Sequence, residues 1–417
     1  MPTTTTQTSV LERFLRYVQL DTASDPASPT TPSTAKQLVL LDMLVNELKT
    51  LGLTDAARDE AGMVMATLPA TSKKKDVPVI GFLAHVDTSP ELSGAGVKPI
   101  VHHDYDGRDL VLPDVPNLVL SAKDDADLAG KKGEDIVTAS GATLLGADDK
   151  AGVAVVMAAV EQLVKNPGIA HGPLRIAFTP DEEIGRGVRH FDIKRFGARY
   201  AYTLDGAGLG TLEAETFSAD SMTVTFQGRN THPGFAHGVM VNAIKVAADF
   251  VSRLPKDTLS PERTREKEGF VHPNDITATV DRTSVHFIIR DFETAQLAVK
   301  EDYLKKLAND TVRDWPGSNA SFEVKETYRN MRDAIAKHPR LLELAREAIR
   351  ETGATPTESS IRGGTDGSIL TEMGLPTPNL FSGQHRFHSR LEWVSVQDME
   401  QAVKTVVNLA RLWEEKG

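Results

Sequence analysis

None of the 417 residues is cysteine. That excludes a disulfide framework and every thiolate-ligated metal site, so any zinc must be held by His, Asp or Glu. A ligand set of nitrogen and oxygen alone leaves room for water and points to catalysis rather than to a structural finger, although magnesium or manganese would tolerate a carboxylate-rich part. Long apolar runs are missing as well. Nothing approaches the roughly 18 apolar residues of a spanning helix, and the opening MPTTTTQTSVLERFLRYVQ holds no apolar stretch of signal-peptide length. Basic clusters are absent: KKK at 73 to 75 reads as a solvated loop, and a net charge of -11 with pI near 5.6 disfavours nucleic acid and anionic membrane partners. Together these absences lead us to expect a cytoplasmic protein.

What is present is ordinary globular usage, 40% hydrophobic and 25% charged, in a chain long enough for two domains. Up to about residue 212 the pattern alternates β and α. VLERFLRYVQL and the run from Ala35 to Leu51 repeat apolar residues at helical spacing, whereas PVIGFLA and LRIAFT are short continuous apolar runs of the kind buried on both faces. This predicts a mixed, mostly parallel sheet covered by helices, an α/β fold that binds ligands at the carboxyl ends of its strands. A helix from Asp149 to Lys165 is apolar and small over most of its surface and is expected to pack inside the layers.

From about Ala214 the texture changes. SMTVTFQG, a helix near VNAIKVAADFVSRL, ITATVDR, SVHFIIRDF, a helix from Thr294 to about Arg313 and SFEVKETY give the order βαββαβ, a ferredoxin-like unit inserted into the first domain. Residues 1–213 and 331–417 are thus expected to form the two parts of a catalytic domain, interrupted by a lid or dimerisation-type domain at 214–330. The Thr/Ser/Pro-rich DTASDPASPTTPST reads as a polar connection without functional content.

Five short motifs place His, Asp or Glu where a buried strand runs out: GFLAHVD, LLGADDK, FTPDEE, YTLDG and QHRFH. His85 and Asp87 lie two apart, so their side chains start on one side of the chain; one can bind metal while the other orients it. By itself this is equally a satisfied histidine beside a turn aspartate. Asp148 and Asp149 stand at a loop-to-helix junction, where a helix cap accounts for one of them more easily than for two. Glu182 and Glu183 can diverge, one to a metal and one to a water as general base, or form an exposed acidic loop. Asp205 ends YAYTLD, and His388 follows a glycine turn with His385 as a rival imidazole.

Taken together, the order HVD, GADDKAG, TPDEE, YTLDG, an inserted domain and RGGTDG before a C-terminal His resembles the M20 family of co-catalytic zinc peptidases over nearly the whole chain. The resemblance implies two zinc ions per chain. Asp148 would bridge them, His85 and Asp205 completing one and Glu183 and His388 the other, with Glu182 as general base and Asp87 as the partner of His85. A metal-bridging hydroxide would attack the peptide bond. The sequence departs from the family pattern in carrying Ser after His388, where Gly is usual.

His232 in NTHPG is a candidate donor to the developing oxyanion or a plain turn histidine. Arg290 and Arg362 are candidates to grip a peptide C-terminus, and Asp366 is expected to cap the helix after RGGTDG. The implied activity is a metallo-aminopeptidase releasing the N-terminal residue of tripeptides, with small peptides as partners and a monomer or homodimer as its state. The alternatives are a dipeptidase or N-acyl amino acid deacylase of the same family, or a non-catalytic zinc-binding protein, against which Glu182 argues because a binding protein needs no base.

Overall fold

The computed structural model describes residues 8–417, which fall into two compact units. The first comprises residues up to Ala214 together with Met331–Ser360 and Thr365–Gly417; the second comprises Glu215–Asn330 with Ile361–Gly364.

In the first unit, the continuous apolar runs become the centre of an eight-stranded sheet in the order Ala57–Arg58, Val64–Leu68, Leu174–Thr179, Ile80–His85, Tyr200–Gly206, Asn379–Phe381, Thr211–Thr216, Thr357–Ile361. Leu174–Thr179, Ile80–His85, Tyr200–Gly206 and Asn379–Phe381 run parallel, while Val64–Leu68 is antiparallel to both its neighbours and Thr211–Thr216 is antiparallel to Asn379–Phe381. Every residue of Ile80–His85 is buried, as expected of a strand covered on both faces. The chain leaves this strand and returns first on one side, at Leu174, and then on the other, at Tyr200. That makes its carboxyl end, where His85 stands, a topological switch point.

The helix Ala147–Lys165 is buried along almost its whole length. It packs on Ile80–His85 and Tyr200–Gly206 and is covered in turn by Val10–Val18 and Val396–Lys416, which explains why its sequence lacks a polar face. Gly152 permits the close approach: a Cβ there would lie 2.2 Å from the Leu204 carbonyl oxygen. A four-stranded sheet of Gln384–His385, Trp393–Ser395, Ile136–Thr138 and Ile100–His102 has no counterpart in the sequence pattern, because its strands are two or three residues long. Its hairpin carries His388.

The second unit has the order βαββαβ: Ser218–Gln227, Ala243–Ser252, Phe270–Ala278, Arg282–Asp291, Ala295–Asp314 and Asn319–Tyr328. The strands form an antiparallel sheet in the order Phe270–Ala278, Arg282–Asp291, Ser218–Gln227, Asn319–Tyr328. Thr283, Val285, Phe287, Ile289 and Asp291 alternate inward, and Val285, Phe287 and Ile289 join Val246, Phe250, Leu297 and Leu304 of the helices in one core. The strand expected at ITATVDR starts earlier, at Phe270, and ends at Ala278. It accommodates Pro273 because it is an edge strand whose register shifts between Pro273 and Asp275. No helix among the described residues is long and apolar enough to cross a membrane.

Candidate active site

His85, Glu182, Glu183 and Asp205 come from three adjacent parallel strands and the turns after them, and Asp148 and His388 join them from two loops. His85 is 2% exposed. Its Nδ1 lies 3.1 Å from the Asp87 carbonyl oxygen, with an Asp87 carboxylate oxygen at 3.4 Å. A carbonyl only accepts, so Nδ1 carries a proton and Nε2 is the nitrogen turned to the carboxylates. Burial works against a charged His85, but the hydrogen bonds of those carboxylates raise it well above the usual imidazole range, so without metal Nε2 is protonated too. Around that nitrogen stand Asp148 Oδ1 at 3.1 Å, Asp205 Oδ1 at 3.6 Å and Glu182 Oε2 at 4.0 Å. The other oxygen of Asp148 is 3.2 Å from His388 Nε2, which also lies 2.8 Å from Glu183 Oε2.

The two adjacent aspartates divide their work. Asp148 faces the imidazoles, and its backbone is not helical. Asp149, fully buried, turns away: one oxygen accepts the Gly152 N–H at 3.2 Å, starting the helix proper, and the other accepts the His85 N–H at 3.2 Å. The two glutamates are fixed from behind by Asp87, whose carboxylate accepts the N–H of Glu182 at 2.9 Å and of Glu183 at 3.2 Å. Asp87 therefore serves His85 mainly through its carbonyl and the glutamates through its carboxylate, a broader role than orienting one histidine.

Preceding them, Asp181 holds φ +58°, a conformation that costs a non-glycine residue energy unless its surroundings impose it. They do: its buried carboxylate accepts Ser33 N–H at 2.7 Å, the Ser33 hydroxyl and Gln37 Nε2 at 2.7 Å. The Thr/Ser/Pro-rich connection, read from sequence as functionally silent, thus anchors the glutamate turn. Asp366 is also not the helix cap expected. Thr365 caps that helix through the Ser368 N–H, while Asp366 is buried and accepts the Thr179 hydroxyl at 2.6 Å.

Electrostatics follow from crowding. Burial pushes Glu182 well above the carboxylate range, His85 opposing and Asp205, Asp366 and Glu183 reinforcing. Glu183 is pushed up to about 8 by burial and the charge of Asp148. Burial works against a charged His388, but hydrogen bonds to Asp148 and Glu183 outweigh it and carry the imidazole up to about 11. Asp148 is held low despite burial, by His388 and His85. Four carboxylates, Asp148, Glu182, Glu183 and Asp205, thus surround two imidazoles. Among the described residues two groups could hold a metal ion, His85 with Asp148 and Asp205, and Asp148 with Glu183 and His388, each with donor atoms within 4.8 Å of one another. Asp148 belongs to both. The donor chemistry, an excess of buried carboxylates with two imidazole nitrogens turned among them, fits divalent cations, which would replace the protons those nitrogens now carry.

His385 lies outside both groups, stacked on Trp393 with ring centres 3.9 Å apart. Sequence reasoning missed Glu392. It is 1% exposed and accepts N–H groups from Leu145 at 2.7 Å, Gly146 at 2.8 Å and Asp148 at 3.0 Å. The signal was a lone Glu between Leu391 and Trp393, at the entry to a buried strand.

Three further residues belong to the second unit. His232 is exposed and accepts the Gly234 N–H on Nδ1 at 3.1 Å, which places its proton on Nε2. Arg290 donates one bond to the Arg362 carbonyl at 3.1 Å, and its buried Nε has no partner among the described residues. Arg362 is committed elsewhere, to the carbonyls of Glu266 and Glu268 at 2.6 and 3.0 Å and to the Thr264 hydroxyl at 3.0 Å.

A switch-point crevice lined by carboxylates and imidazoles in two overlapping triads defines a hydrolase-type centre. The chain belongs to peptidase family M20/M25/M40, which residues 134–412 match. Peptidase T of Geobacillus sp. (strain WCH70) is 46% identical to it over 408 residues, 98% of this chain and 99% of that protein. Two crystal structures share the fold: an aminopeptidase PepT from Bacillus cereus, with TM-score 0.73 and 24% identity over 98% of this chain and 99% of that one, and a tripeptidase from Staphylococcus aureus, with TM-score 0.76 and 21% identity over 99% of both.

Proposed function

We propose that this chain is a cytoplasmic aminopeptidase that uses two zinc ions to release the N-terminal residue of tripeptides. The observation that carries the reading is the sharing of Asp148 between the two triads. His85, Asp148 and Asp205 would hold one ion and Asp148, Glu183 and His388 the other. Ions held there would lower the pKa of water and polarise a peptide carbonyl.

The chain's own groups supply the rest. Glu182, in neither triad yet 4.0 Å from His85 Nε2, is placed to take a proton from the attacking water and return it to the leaving amine. Asp87 keeps Glu182 and Glu183 on their separate tasks through their backbone amides. His232, with its proton on Nε2, is a donor for the developing oxyanion. Arg290 is the better grip for a substrate carboxylate, since Arg362 spends its guanidinium on the 264–268 loop and its carbonyl on orienting Arg290. The peptidase T and tripeptidase relatives support a tripeptide as substrate, and a chain without cysteine needs no oxidising compartment to fold.

The test is hydrolysis of a peptide series from two to six residues by metal-loaded protein, with product analysis. Tripeptides with a free N-terminus should be cleaved fastest, losing the first residue, and N-acetylation should abolish cleavage. Preferential cleavage of N-acylated substrates would identify a deacylase instead.

A further inference from the structure

Resting on the two-metal reading above, we propose that Glu392 is a positioning residue that joins the Asp148 and His388 segments into one bracket. Its carboxylate sits in a concave ring of main-chain amides from Leu145, Gly146 and Asp148, a geometry suited to an anion. Gly146 holds φ +79°, so the ring depends on a residue without a Cβ. All three amides precede or belong to the residue shared by both triads. Without an acceptor these buried N–H groups would be stranded, and the loop would have to open to reach water.

Glu392 is also tied to the other side of the site. It lies four residues after His388 in the turn of the Gln384–His385/Trp393–Ser395 hairpin, and its own N–H donates to the Ser389 carbonyl at 3.3 Å. The Ser389 hydroxyl donates to the Arg386 carbonyl at 2.6 Å and accepts the Leu391 N–H at 3.2 Å, so the segment around His388 is braced at both ends. His388 itself holds φ +58°, a conformation kept only where the surroundings impose it. One side chain thereby fixes the distance between a ligand common to both ions and a ligand of one. Groups behind the ligands of a metal site typically change metal affinity by about 10- to 100-fold when replaced.

A merely stabilising role and a positioning role separate in metal titrations. Cobalt(II) is added to metal-free wild type, Glu392→Gln and His388→Ala, followed by calorimetry and visible absorption. The glutamine keeps the size of the side chain but turns an N–H2 donor on at least one of the amide donors. Wild type should take two equivalents. Glu392→Gln should weaken both by about 10-fold or more and shift the cobalt bands, because the shared ligand moves, whereas His388→Ala should weaken one ion far more than the other. If wild type takes two ions and Glu392→Gln matches it in affinity and spectrum, this inference fails alone. If wild type does not take two ions, the two-metal reading fails and this inference with it. Hydrogen exchange on native, metal-free protein requires no variant: the amides of segment 144–149 should be strongly protected, and rapid exchange there would overturn the bracket even if Glu392→Gln did not fold.

Discussion

His388 Nε2 and Glu183 Oε2 lie 2.8 Å apart, and Asp148 Oδ2 approaches the same nitrogen to 3.2 Å. Without metal this nitrogen carries a proton, since His388 is raised to about 11. Ligation needs the neutral imidazole, so metal loading near pH 7 must release protons. Calorimetry in two buffers of different ionisation enthalpy should show release of at least one proton per chain, and affinity should rise with pH. Loading without proton release would contradict the arrangement.

The same pair sets how the metal-free protein responds to pH. A raised His388 stabilises the fold fully below its unfolded value of about 6.5, and that contribution is lost as pH climbs through about 11. Asp148, held low by the imidazoles, acts in the opposite sense: its contribution is present above about 4 and is lost as pH falls. Glu183, pushed up to about 8, loses its contribution in the same alkaline direction. Melting temperatures of metal-free protein should therefore fall as pH rises above about 6.5, and replacing His388 with Ala should flatten that fall. An unchanged profile in His388→Ala would argue against the pairing.

Glu182→Gln should keep both metals and lose turnover by about 10²- to 10⁴-fold, because the amide preserves shape without basicity. Unchanged kcat at full metal occupancy would remove Glu182 as the base.

Asp181→Ala should strand three buried donors and release a strained backbone from its anchor. Denaturant unfolding should show a loss of about 2–4 kcal/mol, with Ser33→Ala costing about 1 kcal/mol. A loss in Asp181→Ala no larger than in Ser33→Ala would show that the carboxylate is not the hub of that network.

Arg290→Met should raise KM for a free tripeptide by about 10-fold or more and make it indifferent to C-terminal amidation, through loss of a charge-assisted contact. Continued discrimination between acid and amide in that variant would move the carboxylate grip elsewhere.

The centre of the large sheet and the βαββαβ unit were legible in sequence because Ile80–His85, Leu174–Thr179, Tyr200–Gly206 and the strands of the inserted unit are six residues or longer and carry a clear apolar pattern. PVIGFLA and LRIAFT can only be buried strands at the carboxyl ends of which polar residues collect. The hairpin around His388 was not legible, since Gln384–His385 and Trp393–Ser395 are too short for a period. On the residues alone His385 therefore stayed a rival of His388, which only the family resemblance favoured; in the structure His385 stacks on Trp393 and His388 stands in the turn between those strands. Glu392 and Asp181 escaped for a different reason. Each acts through backbone amides or side chains that are remote in sequence or invisible in it: Glu392 reaches amides about 245 positions earlier, and Asp181 reaches Ser33 from 148 positions away. Asp366 was misread as a cap because Thr365, one residue earlier, satisfies the same rule.

The claim on which everything else depends is that Asp148 serves both metal groups. Elemental analysis of zinc per chain, on wild type, His388→Ala and Asp148→Ala after loading and desalting, tests it most directly. The account predicts two ions in wild type, about one in His388→Ala and fewer than one in Asp148→Ala. Two zinc ions retained by a folded Asp148→Ala would contradict it.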